Sequence, residues 1–135
     1  IGWLPDLNKW GNTISNHLKK GGTFLFTEFH PFLELIKDKG CDYFYKNHPD
    51  IEEKNGTYTD GGENLISTTC WWNHPLTEIF KALENNGLQL TNFEEFDYSP
   101  LPLNGMIKKE EGKYVFKKRI MNSTPYVFNL KATKK

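Results

Sequence analysis

Leu18-Lys19-Lys20-Gly21-Gly22-Thr23-Phe24-Leu25-Phe26-Thr27-Glu28-Phe29-His30-Pro31 is the stretch whose reading decides the fold. It reads as the end of a helix, a glycine stop, a buried strand and polar residues at that strand's exit. In open α/β sheets ligands bind beyond the carboxyl ends of strands, so Glu28 and His30 fall where chemistry is usually done. Lying two apart on one strand, they share a face.

Working outward, Leu4-Pro5-Asp6 opens the helix that precedes this run. Asp6 is placed to cap it, and Leu7, Trp10, Ile14 and Leu18 form one apolar face at helical spacing. Lys19 and Lys20 complement the carboxyl end of the helix dipole, and Gly21 supplies a left-handed stop. Thr23 to Phe29 is apolar on both faces, the pattern of a central parallel strand. A helix feeding directly into such a strand is half of a crossover unit, whose earlier parallel strand is expected before Ile1. With Ile rather than Met at position 1, the chain reads as a truncated product.

Beyond Pro31 the rhythm breaks. Pro31 to Ile36 is expected to make a short helical turn. Asp42 to Lys46 and Leu65 to Trp72 read as extended, separated by a polar stretch holding Gly56, Gly61 and Gly62. Residues 31 to about 70 are therefore expected to form an inserted hairpin or lid within a single domain. Asn73-His74-Pro75 starts a second helix with Leu76, Ile79, Phe80 and Leu83 on its buried face and Gly87 at its end. Leu88 to Phe96 is the next strand, followed by a loop from Pro100 to Gly112 and an extended arm from Tyr114 to Arg119. Pro125 to Ala132 alternates Tyr126, Phe128, Leu130 and Ala132 against Val127, Asn129 and Lys131, as a final antiparallel strand would.

Bulk properties bound the function. The chain has 135 residues, enough for one domain with a core, and its 17 basic and 17 acidic residues cancel. A non-specific nucleic-acid or anionic-membrane binder would carry a surplus of Lys and Arg. The clusters Lys108-Lys109, Lys117-Lys118-Arg119 and Lys134-Lys135 read instead as solvated faces and a frayed tail. Cys41 and Cys70 are far apart and in no metal-binding or redox spacing; a disulfide between them stays open, and two reduced thiols in a cytoplasmic protein are the expectation. No apolar run approaches the ~20 residues of a membrane span.

Five short motifs, taken in order, carry a family resemblance. Trp3-Leu4-Pro5-Asp6-Leu7 followed by Trp10 resembles the segment after the fourth strand of class I S-adenosylmethionine-dependent methyltransferases of small molecules. The helix-glycine-strand run closely resembles the one leading into their fifth strand, with Lys20 where the family has proline, and Glu28-Phe29-His30-Pro31 looks like its end. Trp72-Asn73-His74-Pro75-Leu76 is similar to the entry into their next helix. Asn86-Gly87-Leu88 with Glu94-Glu95-Phe96 is similar to the strand after it, and Pro125 to Ala132 resembles their last strand.

The resemblance implies an α/β fold: the carboxy-terminal half of a Rossmann-like methyltransferase sheet, mixed parallel and antiparallel, with an inserted β-rich lid. It implies S-adenosylmethionine as cofactor and a small-molecule methyl acceptor as substrate. Glu28, His30, Trp72 and His74 would line the acceptor side, and Trp3 would lie near the cofactor. The glycine-rich strand-turn-helix that holds the cofactor in the family has no counterpart here. Gly21-Gly22 cannot replace it, because this pair follows a helix and enters a strand, the reverse of the required order. The chain alone is therefore expected to bind the cofactor negligibly, and to dimerise through the strand edge left unpaired.

Each candidate also has a structural reading. Glu28 would pair with a nearby amide, and His30 would fix the turn before Pro31. His30, His48 and His74 all precede proline, which favours extended backbone and marks element junctions. A zinc site from these histidines with Cys41 or Cys70 matches no known ligand spacing. Trp71, Trp72, Tyr43, Phe44, Tyr45 and Tyr58 form either an aromatic wall for a planar or cationic substrate or the packing of a small insertion. The alternative to the enzyme is a non-catalytic α/β binding module that uses its open edge and aromatic insertion to hold a partner. A metal-dependent hydrolase is a third, less supported option.

Overall fold

The structure is a computed structural model, and it describes residues 1–36, 42–56, 61–62, 64–103, 105–117 and 123–135. Cys41, Tyr58, Lys118 and Arg119 lie outside the described residues, and with them part of the expected aromatic wall and extended arm.

Helix α1 spans Leu7–His17, and strand β1 spans Thr23–Phe29. A 3-10 turn over Pro31–Ile36 follows, then the hairpin β2 (Asp50–Asn55) and β3 (Ile66–Trp71). Helix α2 covers Leu76–Glu84 and β4 Leu88–Phe96. A second hairpin joins β5 (Met106–Glu110) to β6 (Lys113–Phe116), and β7 (Val127–Lys134) closes the chain.

The main sheet has the order β1-β7-β4, and β7 is antiparallel to both neighbours. β1 and β4 therefore run the same way on either side of it. Every described strand pair is antiparallel, whereas the expected sheet was mixed; the parallel partner of β1 was expected before Ile1, and its described partner is β7. The face of β1 that carries Leu25 also carries Thr23 and Thr27, and all three are exposed. Periodicity reports which residues are apolar, not which neighbour covers them.

α1 and α2 pack on one face of this sheet. Their approach depends on Gly11, where a Cβ would come within 2.4 Å of the Ala82 carbonyl oxygen on α2. Leu7, Ile79, Ala82 and Leu83 meet Leu88, Phe128, Leu130 and Ala132 in a buried core. Phe128 is its centre, fully buried against Phe26, Phe93 and His30 at ring-centroid distances of 5.9, 5.8 and 6.2 Å. Burial of each such side chain contributes about 1.5–3 kcal/mol. Tyr126, Phe128, Leu130 and Ala132 are all buried, as the alternation of the last strand requires.

Asp6 caps α1 as expected, accepting a hydrogen bond from the Lys9 amide. The carboxyl end is built differently. The Lys134 ammonium donates to the Ser15 and Leu18 carbonyls at 2.6 and 2.9 Å, while Lys19 and Lys20 stay exposed. Lys134 is thus the last residue of β7 and a helix cap, not part of a frayed tail. The region expected as loop and arm, 100 to 119, holds the β5–β6 hairpin. Asp42 to Lys46 forms no strand; β3 pairs instead with the polar Asp50–Asn55.

Candidate functional site

The chain's first five residues cross the carboxyl end of β1, and three expected site residues hold them there. The Glu28 carboxylate accepts from the Ile1 backbone nitrogen at 2.9 Å, and its other oxygen accepts from the Phe29 amide. Trp72 donates its backbone N–H to the Gly2 carbonyl at 2.7 Å. The His74 Nε2–H donates to the Leu4 carbonyl at 2.8 Å, which leaves Nδ1 facing Glu78 Oε2 at 2.9 Å. Tyr45 stacks on the His74 ring at 5.4 Å and donates its hydroxyl to the Pro5 carbonyl.

His30 is separate from this group. The Phe32 amide donates to Nδ1 at 3.1 Å, so the ring hydrogen sits on Nε2. Nε2 lies 2.9 Å from Glu95 Oε1 on β4, an ion-pair contact not aligned as a hydrogen bond. Glu28 and Glu95 both stand opposite Phe128 in the sheet register, so one row reads Glu28, Phe128, Glu95 across β1, β7 and β4. Burial pushes the His30 imidazole below its ordinary value of 6.5; the Glu95 carboxylate opposes that shift without cancelling it.

The structure therefore brings Glu28, Trp72 and His74 together around residues 1–5 and sets His30 on the far side of Glu28, against β4. His30 and His74 are 5% and 3% exposed, and their polar atoms turn inward. Trp3 is the opposite case: 60% exposed, it stands edge-on to Trp71 at 5.6 Å. Trp71 itself lies against Gly2, where a Cβ would fall 2.4 Å from the ring, and its buried Nε1–H has no acceptor among the described residues.

Asn73 is a residue that sequence reasoning passed over. Its buried side-chain amide donates to the carbonyls of Asp42 at 2.9 Å and of Pro31 and Tyr43 at 3.4 Å. It ties the exit of β1 to the aromatic segment 42–45. The only available signal was an amide between Trp72 and His74 in a motif whose ends drew attention.

A groove of about 380 Å³ lies beside this corner, between the start of α1 and the length of α2 from Glu78 to its carboxyl end. Asp6, Tyr45, Glu78, Lys81 and Asn85 line it. It shares Tyr45 and Glu78 with the His74 tie but includes none of Glu28, His30 or Trp72. Among the described residues no three His, Cys, Asp or Glu side chains gather to hold a metal ion, and no helix is long and apolar enough to cross a membrane.

No family model matches the chain, and no curated protein matches it in sequence. Among solved structures, it is similar to the crystal structure of a "putative S-adenosylmethionine dependent methyltransferase" from Listeria monocytogenes. The likeness has a TM-score of 0.57 at 15% identity over 99% of this chain. The chain spans 57% of that protein's length. At this identity the likeness is one of fold.

Proposed function

We propose that this chain is the acceptor-side part of an S-adenosylmethionine-dependent methyltransferase acting on a small molecule. The observation that carries the reading is the fold likeness, which extends over 99% of the chain. The arrangement at the end of β1 supports it, since that is where an α/β sheet accepts ligands.

The described residues do not by themselves fit the cofactor. No strand, glycine-rich turn and helix occur in that order among them. What they offer is one exposed indole, Trp3, edge-on to Trp71. S-adenosylmethionine supplies an already reactive methyl group when bound, so the protein's main task is to bring donor and acceptor together in line. In this reading Glu28, Trp72 and His74 set the position of residues 1–5, and with them the Trp3 ring. His30 and Asn73 shape the path of the chain leaving β1. Tyr43, Phe44 and Tyr45 form the wall toward the acceptor.

Two measurements test this. Titration calorimetry of the 135-residue chain with S-adenosylmethionine is expected to give no heat of binding, and micromolar affinity would overturn the placement of the cofactor site outside the chain. Sequencing the coding region upstream of Ile1 is expected to reveal a glycine-rich strand-turn-helix. The protein carrying it should then transfer labelled methyl groups to a panel of small oxygen, nitrogen and sulfur nucleophiles. A start codon directly ahead of Ile1 would remove the enzyme reading. It would favour the non-catalytic module, a reading supported by the inward-turned polar atoms of both histidines.

A further inference from the structure

We infer that the His74 ring carries a hydrogen on both nitrogens, that Glu78 is the positioning residue that keeps the second one there, and that the pair is a proton-dependent latch on residues 1–5. The inference uses contacts among the described residues alone and does not rest on the methyltransferase reading.

The hydrogen count follows from the two partners. Nε2 stands 2.8 Å from the Leu4 carbonyl oxygen, which can only accept, so Nε2 donates. Nδ1 stands 2.9 Å from Glu78 Oε2. A ring with its single hydrogen on Nε2 would turn a bare lone pair toward an ionised carboxylate, two acceptors in contact. The contact therefore holds one further hydrogen between Nδ1 and Oε2. Imidazole is the stronger base of the two groups, and Glu78 sits in the first turn of α2, where the helix dipole favours a carboxylate. The hydrogen belongs to Nδ1, and the pair is an imidazolium and a carboxylate.

The surroundings suit that charge. The His74 side chain is 1% exposed and that of Glu78 29%, so the cation is buried while its counter-ion reaches water. Tyr45 lies nearly parallel to the ring, at 15° and 5.4 Å between centroids, and presents a π face to the cation. Its hydroxyl donates to the Pro5 carbonyl, so His74 and Tyr45 hold two consecutive carbonyls. Asp6 at the head of α1 and Lys81 on α2 line the neighbouring groove, and Glu28 is taken up by Ile1 and Phe29. Among the described residues none of these three bonds the ring, which leaves Glu78 as its partner in charge.

A neutral ring can donate to Leu4 or to Glu78, not to both. Keeping the hydrogen on Nε2 sets Nδ1 against the carboxylate; keeping it on Nδ1 sets a lone pair against the Leu4 carbonyl. Either way one side of the latch opens. His30 has no such constraint, because its Nδ1 accepts from the Phe32 amide. Glu78→Gln would remove the constraint at His74 as well, since the new amide can donate to Nδ1 of a neutral ring while Nε2–H stays on Leu4.

Long-range nitrogen–proton NMR correlation of the His74 ring in the native chain around neutral pH is expected to show hydrogen on both nitrogens. As pH is raised, loss of one of them should displace the amide signals of Gly2, Trp3 and Leu4 at the same pH. In Glu78→Gln the ring should carry a single N–H around neutral pH, with those three amides in native positions and unmoved as pH rises. A bare nitrogen in the native ring at neutral pH would overturn the hydrogen count. Amides that ignore the titration of the ring would overturn the latch, and a Glu78→Gln ring that still holds both hydrogens would overturn the role of Glu78. The first two readings need only the native chain, so they decide the inference even if the variant fails to fold.

Discussion

The chain joins a strand to a helical turn through a His-Pro pair twice, and the two joints are built differently. At His74-Pro75 both ring nitrogens meet oxygen acceptors, the Leu4 carbonyl and the Glu78 carboxylate, and Tyr45 stacks on the ring. At His30-Pro31 one nitrogen accepts from Phe32 and the other makes only a poorly aligned contact with Glu95. The same dipeptide thus serves as a bonded tie in one place and, in the other, as a buried ring whose pKa burial lowers. The two sites share the His-Pro pair alone, and the difference at each ring comes from the groups the fold brings to it.

The largest effect should come from removing the better joint. His74→Ala would leave the buried tie to residues 1–5 without its donor and open a space beside Tyr45. It is expected to cost about 3 kcal/mol of stability, read from the urea midpoint at constant slope. A loss below about 1 kcal/mol would mean that the two joints are equivalent after all.

Next comes the neighbouring amide. Asn73→Ala leaves the Asp42 carbonyl without its 2.9 Å donor and is expected to cost about 1–3 kcal/mol. Asn73→Asp, which keeps the shape but cannot donate, should cost at least as much. If it were tolerated, the three carbonyl contacts would not be what holds segment 42–45.

The smallest effect is a pH dependence at His30. Its pKa in the folded protein is lowered from 6.5, so the unfolded chain takes up the proton first. The contribution is complete above 6.5 and is lost as pH falls below it, by at most about 1.4 kcal/mol per pH unit. Denaturant titrations between about pH 6.5 and 5 should show this slope in the native chain and a shallower one in His30→Gln. Equal slopes would show that burial does not lower the His30 pKa. Glu95→Gln sharpens the test, because removing the carboxylate should lower the His30 pKa further and extend the window to lower pH.

Much of the architecture was legible in local patterns. The Asp6 cap, the 3-10 turn after Pro31, β1 at Thr23–Phe29, β4 at Leu88–Phe96 and the buried face of β7 all follow from side-chain spacing and capping chemistry. The β2 strand was not legible, because Asp50–Asn55 is polar and gains its extended form only by pairing with β3. Nor was the Lys134 cap, which reaches helix carbonyls 119 and 116 residues away. At the candidate site, position was readable and partnership was not: Glu28 and His30 were expected to act together, yet one holds Ile1 and the other meets Glu95.

By itself the sequence determined where most helices and strands lie, which helix faces are apolar and which polar residues fall at strand exits, because those depend on neighbours a few positions apart. Only the tertiary structure decided that β7 lies between β1 and β4 and antiparallel to both, that Asn73 ties two loops, and that two identical dipeptides meet different partners. Those outcomes depend on groups brought together from distant parts of the chain, and no local pattern encodes which partner arrives.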